Sequence, residues 1–157
     1  MTSTGTAFGR TGTGSPAALA EIALPIVRAC AAIAEESIER VAPEVTLQQF
    51  RALMVLHEDG PQNAAALADA LGIARSTLTR LADRLVRDGL INRATDPTDR
   101  RAVLLSVSQR GSRTAQRVKA WRLRELARRF ADVPSEERPA VADVLKRAVA
   151  FLAPEEV

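Results

Sequence analysis

Apolar positions recur along this chain in two rhythms, and the switch between them divides it into elements. Leu19, Ile22, Ile26, Cys30 and Ile33 fall at three- and four-residue steps, and Ile38 and Val41 continue the stripe. That is the period of one helix face. Ser15 and Pro16 supply a cap and a first-turn proline for its start. Pro25 removes one backbone hydrogen bond and predicts a kink, and Pro43 marks the end. Thr46, with Gln49 three residues on, fits a capping box, and Phe50, Leu53, Met54 and Leu56 form the apolar side of a second helix stopped by Gly60–Pro61. Asn63 is a candidate N-cap for a third, short helix whose inward positions are Leu67, Ala68 and Leu71. Gly72 follows directly, where positive φ ends a helix, and another helix opens within three residues. Two helices joined that closely must cross steeply, which predicts a helix-turn-helix.

The helix after Gly72 is read by angle, at about 100° per residue. Leu78, Leu81, Ala82 and Leu85 fall on the core side. Ser76, Arg80, Asp83 and Arg87 fall opposite, flanked by Thr79 and Arg84, with Arg75 and Thr77 at the helix entry. Arginine donates two parallel hydrogen bonds to guanine, and hydroxyls bond bases or phosphates, so this face suits a major groove. An ordinary solvated helix face is the bland alternative.

The rhythm then changes to alternation. Val103, Leu105 and Val107 share one face of the stretch from Ala102 to Ser108, as in a half-buried strand. Leu90 to Ala94 supplies its hairpin partner, leaving Thr95 to Arg101 as the loop. Asp96, Pro97 and Asp99 suit a turn, and Asp99 can brace a guanidinium near a tip that carries Arg100 and Arg101. A β wing of this kind can place an arginine in a narrow minor groove. The segment GLINRATDPTDRRAVLLSVSQRG resembles the wing signature of the MarR family of transcriptional regulators, including the aspartate-x-arginine element at Asp99 and Arg101. A looser resemblance in helix order and spacing runs over about residues 17 to 152. The resemblance implies that Arg101 is the minor-groove arginine with Asp99 as its brace. It also implies that Ser76 and Arg80 stand at base-contacting positions.

Beyond the wing the helical period returns. Ser108 is placed to cap a long helix to about Ala131, despite a costly Gly111 in its first turn, with Val118, Trp121, Leu126 and Phe130 as its apolar contacts. Pro134 breaks the chain and Ser135 is expected to cap a last helix striped by Val141, Val144, Leu145, Ala148 and Leu152. The fold class expected is mainly α with a small β hairpin. Residues 1–14, almost all small and polar, form a disordered tail, and residues 15–157 one domain. Within it 45–108 is the winged helix-turn-helix, and 15–42 and 109–153 are dimerisation helices. Their stripes exceed what a compact winged domain can cover, so a second copy is the expected partner, with an intramolecular bundle as the competing arrangement. Two copies would present two recognition helices to a palindromic operator in double-stranded DNA.

Charge sharpens this reading. The net charge of +3 is unremarkable, but residues 16–74 carry 3 basic and 8 acidic groups while residues 102–133 carry 8 and 2. Residues 75–101, with 7 and 4, are also net positive. Positive charge therefore begins at the recognition helix, as a one-sided DNA binder requires. The 157 residues, 46% hydrophobic, suffice for one core. No uninterrupted apolar run is expected to approach a membrane span and the N-terminus lacks a signal-peptide layout, so the chain is expected to be cytoplasmic, without a membrane partner.

Catalytic chemistry is nearly absent from the sequence. The single histidine, His57, sits on the last turn of the second helix, with exposure or an interaction with the helix C-terminal dipole as its expected state. No carboxylate pair, phosphate loop or nucleophile elbow occurs. No catalytic residue, cofactor or metal site is therefore expected. Cys30, the one cysteine, excludes an intrachain disulfide, and its flanks Ala29, Ala31, Ala32 and Ile33 suggest a packed, inert thiol at the interface. A cysteine-based redox regulator on the same scaffold and a winged-helix protein-interaction module are the competing functions. The family resemblance further implies an effector site for small aromatic or anionic molecules, walled by residues 26–33, 50–57 and 118–121, and a repressor released by such a ligand.

Overall fold

In a computed structural model, which describes residues 14–95 and 103–152, the chain forms six helices and three strands among those residues. Helix α1 (Pro16–Val41) starts as its sequence dictates: Pro16 occupies the first turn and the Ser15 hydroxyl accepts the Ala18 N–H at 3.2 Å. The helix continues through Pro25 to Val41. Only its C-terminal third is packed, with Ile33, Ser37 and Ile38 buried, whereas Leu19, Ile22, Ile26 and Cys30 are exposed. By length and composition α1 is also apolar enough to cross a membrane, which corrects the expectation that no stretch approaches this. Reading uninterrupted runs missed it, because Glu21, Pro25 and Arg28 break the run without much lowering its average.

Helix α2 (Leu47–Glu58) carries a complete capping box: Gln49 N–H donates to the Thr46 hydroxyl at 3.2 Å, and Thr46 N–H to the Gln49 side-chain oxygen at 2.8 Å. Phe50, Leu53 and Leu56 are buried together beneath it. Helix α3 (Ala64–Leu71) is capped by Asn63, whose side-chain oxygen accepts the Ala66 N–H at 2.8 Å. It closes at Gly72 with φ of 65°, a left-handed conformation that side chains with a Cβ rarely adopt. Helix α4 (Arg75–Arg87) begins three residues later with Leu78, Leu81, Ala82 and Leu85 buried, the four inward positions expected from its period.

The β region is richer than a hairpin. β2 (Ile91–Thr95) and β3 (Val103–Val107) pair antiparallel, with Ile91 opposite Val107 and Thr95 opposite Val103. A third strand, β1 (Gln62–Asn63), pairs on the other side of β3, giving the order β1-β3-β2. Two residues are too few to show alternation, so β1 left no periodic signal in the sequence. Its pairing ties the start of α3 to the wing.

Helix α5 (Gln109–Phe130) is capped by Ser108, which also donates its hydroxyl proton to the Gly89 carbonyl at 2.7 Å. Gly111 turns out to be required there: a Cβ at this position would collide with the Leu90 carbonyl oxygen. Helix α6 (Arg138–Leu152) begins three residues after Ser135, correcting the expected cap. The Ser135 hydroxyl reaches Glu136 at 3.2 Å instead, and Pro134 to Glu137 form a turn closed by a backbone bond of 3.0 Å. Arg138 then donates to the Val133 and Ala131 carbonyls, tying the start of α6 to the end of α5. No residue of α6 is buried, and Val144, Val149, Phe151 and Leu152 are exposed.

Candidate nucleic-acid interface

Helix α4 is held from below and open above. Its buried leucines lock rotation about the helix axis, so the opposite face is set rather than free. Arg75, Ser76, Thr77, Thr79, Arg80 and Arg84 are all exposed, as their angular positions predict. The Thr79 hydroxyl donates to the Arg75 carbonyl at 3.0 Å, which leaves its oxygen lone pairs outward as acceptors. Arg75 and Thr79 also line an open groove of about 470 Å³, with Asn63, Ala64 and Ala65 from the start of α3 and Val103 from β3. The recognition-helix entry, the α3 start and the wing base therefore share one concave surface. Asp99, Arg100 and Arg101, the remaining sequence candidates, lie outside the described residues, as do residues 1–13 of the N-terminal tail.

Sequence reasoning missed the contact that joins helix to wing. Arg93, on β2, reaches the Asp83 carboxylate at 2.8 Å. The two side chains are 42% and 48% exposed. An ion pair that open contributes about 0–1 kcal/mol to stability. Asp83 was legible as an outward position, but its partner lies on another element ten residues on, and periodicity carries no information about such a pairing.

Helices α1, α2 and α5, which carry the expected effector-site walls, converge on a cation at positions mostly outside those walls. Arg122 of α5 stacks over the Phe50 ring at 4.6 Å, donates to the Ser37 hydroxyl at 2.8 Å and approaches the Ala34 carbonyl at 3.4 Å. Ser37 is fully buried, and its hydroxyl donates a hydrogen bond to the Ala34 carbonyl at 2.6 Å. Burial lowers the pKa of the Arg122 guanidinium, which is nonetheless a cation at any ordinary pH. In α2, the buried Gln49 side-chain nitrogen has no hydrogen-bond partner among the described residues. An apolar hollow of about 480 Å³ lies elsewhere, between α5 and α6, lined by Phe130, Val141 and Leu145 among others.

His57 stands on the last turn of α2, as expected, and is half-buried rather than exposed, its Nδ1 3.3 Å from the Ser112 hydroxyl of α5. Its burial comes from α5, which covers the end of α2 and which no local pattern reports. Cys30 is exposed in the single chain, so the packing expected for it is not supplied by its own fold. Among the described residues, no three His, Cys, Asp or Glu side chains gather where a metal ion could be held.

Residues 45–103 match the model of the MarR family, spanning α2 through the start of β3. An HTH-type transcriptional regulator of Mycobacterium bovis is 34% identical over 104 residues, which cover 66% of this chain and 70% of that protein. The chain belongs to the MarR family. It is accordingly a helix-turn-helix, DNA-binding transcriptional regulator, of a family of regulators rather than enzymes. Beyond the winged domain, a crystal structure from Mycobacterium tuberculosis superposes with a TM-score of 0.80 at 34% identity, over 87% of this chain and 93% of that one. A transcriptional repressor of Pseudomonas putida is 31% identical over 70 residues, 45% of this chain and 44% of its own length. The mainly helical fold with a small antiparallel sheet is that of MarR winged-helix structures.

Proposed function

We propose that this MarR-family chain acts as a homodimeric, sequence-specific repressor that binds a palindromic operator in double-stranded DNA and is released by a small aromatic or anionic effector. The exposed row Ser76, Thr79 and Arg80, on a helix whose opposite side is locked into the core, is the observation that carries this reading. Short hydroxyls beside long guanidinium groups fit base edges and phosphates together. Arg75, Thr77 and Arg84 extend the row, and Asp99, Arg100 and Arg101 are assigned to the wing tip by their sequence pattern.

The dimer follows from what the single chain leaves uncovered. Leu19, Ile22, Ile26 and Val27 of α1 and Val144, Val149, Phe151 and Leu152 of α6 are between 55% and 85% exposed. A second copy would cover these faces and place two recognition helices about a two-fold axis. Repression, rather than activation, is favoured by the Pseudomonas putida relative's designation as a repressor. The protein would act in the cytoplasm, where its DNA is.

Selection from random duplex DNA with the purified protein tests the reading. The expected product is an inverted repeat with half-sites about one or two helical turns apart. Failure to enrich any sequence from the library would reject sequence-specific binding.

A further inference from the structure

Asp83 is an awkward residue for a DNA-facing helix. It lies on the same face as Ser76, Arg80 and Arg87, and one turn beyond Arg80, so its carboxylate stands about 5 Å along the axis from the proposed base-reading arginine. DNA is a dense polyanion, and a bare carboxylate at its surface opposes every phosphate nearby. In the fold, however, the charge is matched by the Arg93 guanidinium at 2.8 Å. Among the described residues this is the ion pair that links α4 to the sheet. Both side chains remain nearly half exposed, so the pair adds little to stability and is free to meet a ligand.

We infer that Asp83 sets DNA specificity by neutralising Arg93 at the DNA-facing side of α4 and by tying β2, the strand that leads into the wing, to the recognition helix. The inference rests on the DNA-binding reading of α4. Arg93 is central in β2, opposite Leu105 of β3, so the pair adds one side-chain tie from α4 to a strand that the backbone ladder already holds. Two consequences follow from one contact. A tethered guanidinium is neutralised and contributes nothing to sequence-independent attraction. A tie between β2 and α4 favours one separation of strand from helix, so DNA suited to that separation engages both elements best. Asp83 thus gives up affinity for DNA in general and gains discrimination among sequences.

The charge arithmetic separates these effects. Asp83→Asn keeps the side-chain shape and frees one positive charge at the interface, whereas Arg93→Gln leaves one negative charge exposed. The double variant restores the net charge but not the tie. The test measures affinity against salt for the full chain on two duplexes, one selected by the parent protein and one of random sequence, with Asp143→Asn on the exposed face of α6 controlling for net charge alone. D83N is expected to bind random DNA about three- to eightfold tighter at 0.1 M salt, with a log–log slope steeper by about 0.9. Its preference for the selected duplex should fall. R93Q is expected to weaken binding to both duplexes with a shallower slope. The double variant should recover the parent's slope on random DNA but not its preference. D143N should match the parent. If folded D83N keeps both the parental slope and the parental preference, the inference is overturned, while the DNA-binding reading stands. A parent that binds neither duplex overturns that reading and this one with it.

Discussion

Arg80 and Arg101 make the residue-scale distinction on which the DNA reading turns. An arginine on the recognition helix reads a donor and acceptor pattern, so Arg80→Ala should cost about 1–3 kcal/mol and relax preference at one position per half-site. An arginine in a minor groove responds to groove width, so Arg101→Ala should weaken all good sites and flatten preference for A·T-rich flanks. Binding to operators varied separately at core and flank checks both. Altered core choice with Arg101→Ala and intact specificity with Arg80→Ala would mean that helix and wing roles are reversed. Gly111 gives a prediction independent of DNA. With the Leu90 carbonyl directly in the path of a Cβ, Gly111→Ala must shift α5 against the wing, although alanine is the better helix former. Overpacking of this kind costs about 1–3 kcal/mol, measurable as a lower urea midpoint. An unchanged or higher midpoint would show that local helix propensity, not the close approach, governs the site.

At the scale of elements, the end of α5 carries a titratable prediction. Glu125 accepts from Arg128 at 2.7 Å and 2.9 Å and from Arg129 at 2.8 Å. These hydrogen bonds hold its carboxyl down to about 2, against a usual value of 4.5. A carboxyl with a depressed pKa stabilises the fold above its ordinary value, and the benefit is lost as pH falls toward 2. Acid titration of the parent should therefore show a loss of stability between about pH 4.5 and 2 that Glu125→Gln lacks, read from urea midpoints across that range. Identical pH profiles would remove Glu125 from the account. Legibility in the sequence divides by range. Caps at Ser15, Thr46, Asn63 and Ser108, the αL glycine at Gly72 and the inward leucines of α4 were all readable, because each is set by neighbours within four residues. The Asp83–Arg93 tether, Arg122 over Phe50 and His57 against Ser112 were not. Each joins residues on different helices or strands, and no periodic pattern records which side chains meet across a core. β1 was too short to register, and Ser135 misled because a serine after a helix break can close a turn as readily as cap a helix.

On the scale of the whole molecule, the winged domain is buried on itself while α1 and α6 are not. The core runs from Ile38 through α2, α3, α4 and the sheet to Val118 of α5, and ends there. Beyond it α1 offers an exposed face of isoleucine, leucine and valine longer than a single copy can cover, and α6 has no buried residue. The membrane-competent length of α1 and the proposed dimer are two answers to the same exposed surface. They differ in what dilution does. A second copy binds only the folded chain, so the melting temperature should rise with protein concentration, and sedimentation should give twice the 16.9 kDa chain mass. Deleting residues 134–157 should strip away half of the interface and yield aggregation or unfolding. Cys30 reports on the same surface. It is exposed in one copy and lies on the α1 stripe, so packing against a partner should slow its alkylation until dilution separates the copies. Cys30→Ser should then leave DNA affinity and any peroxide response nearly unchanged. Loss of DNA binding on peroxide treatment, abolished by Cys30→Ser, would instead make the thiol a redox switch. A well-folded monomer at every concentration, with Cys30 alkylated at the rate of a free thiol, would leave the apolar face of α1 to some other partner and refute the dimer.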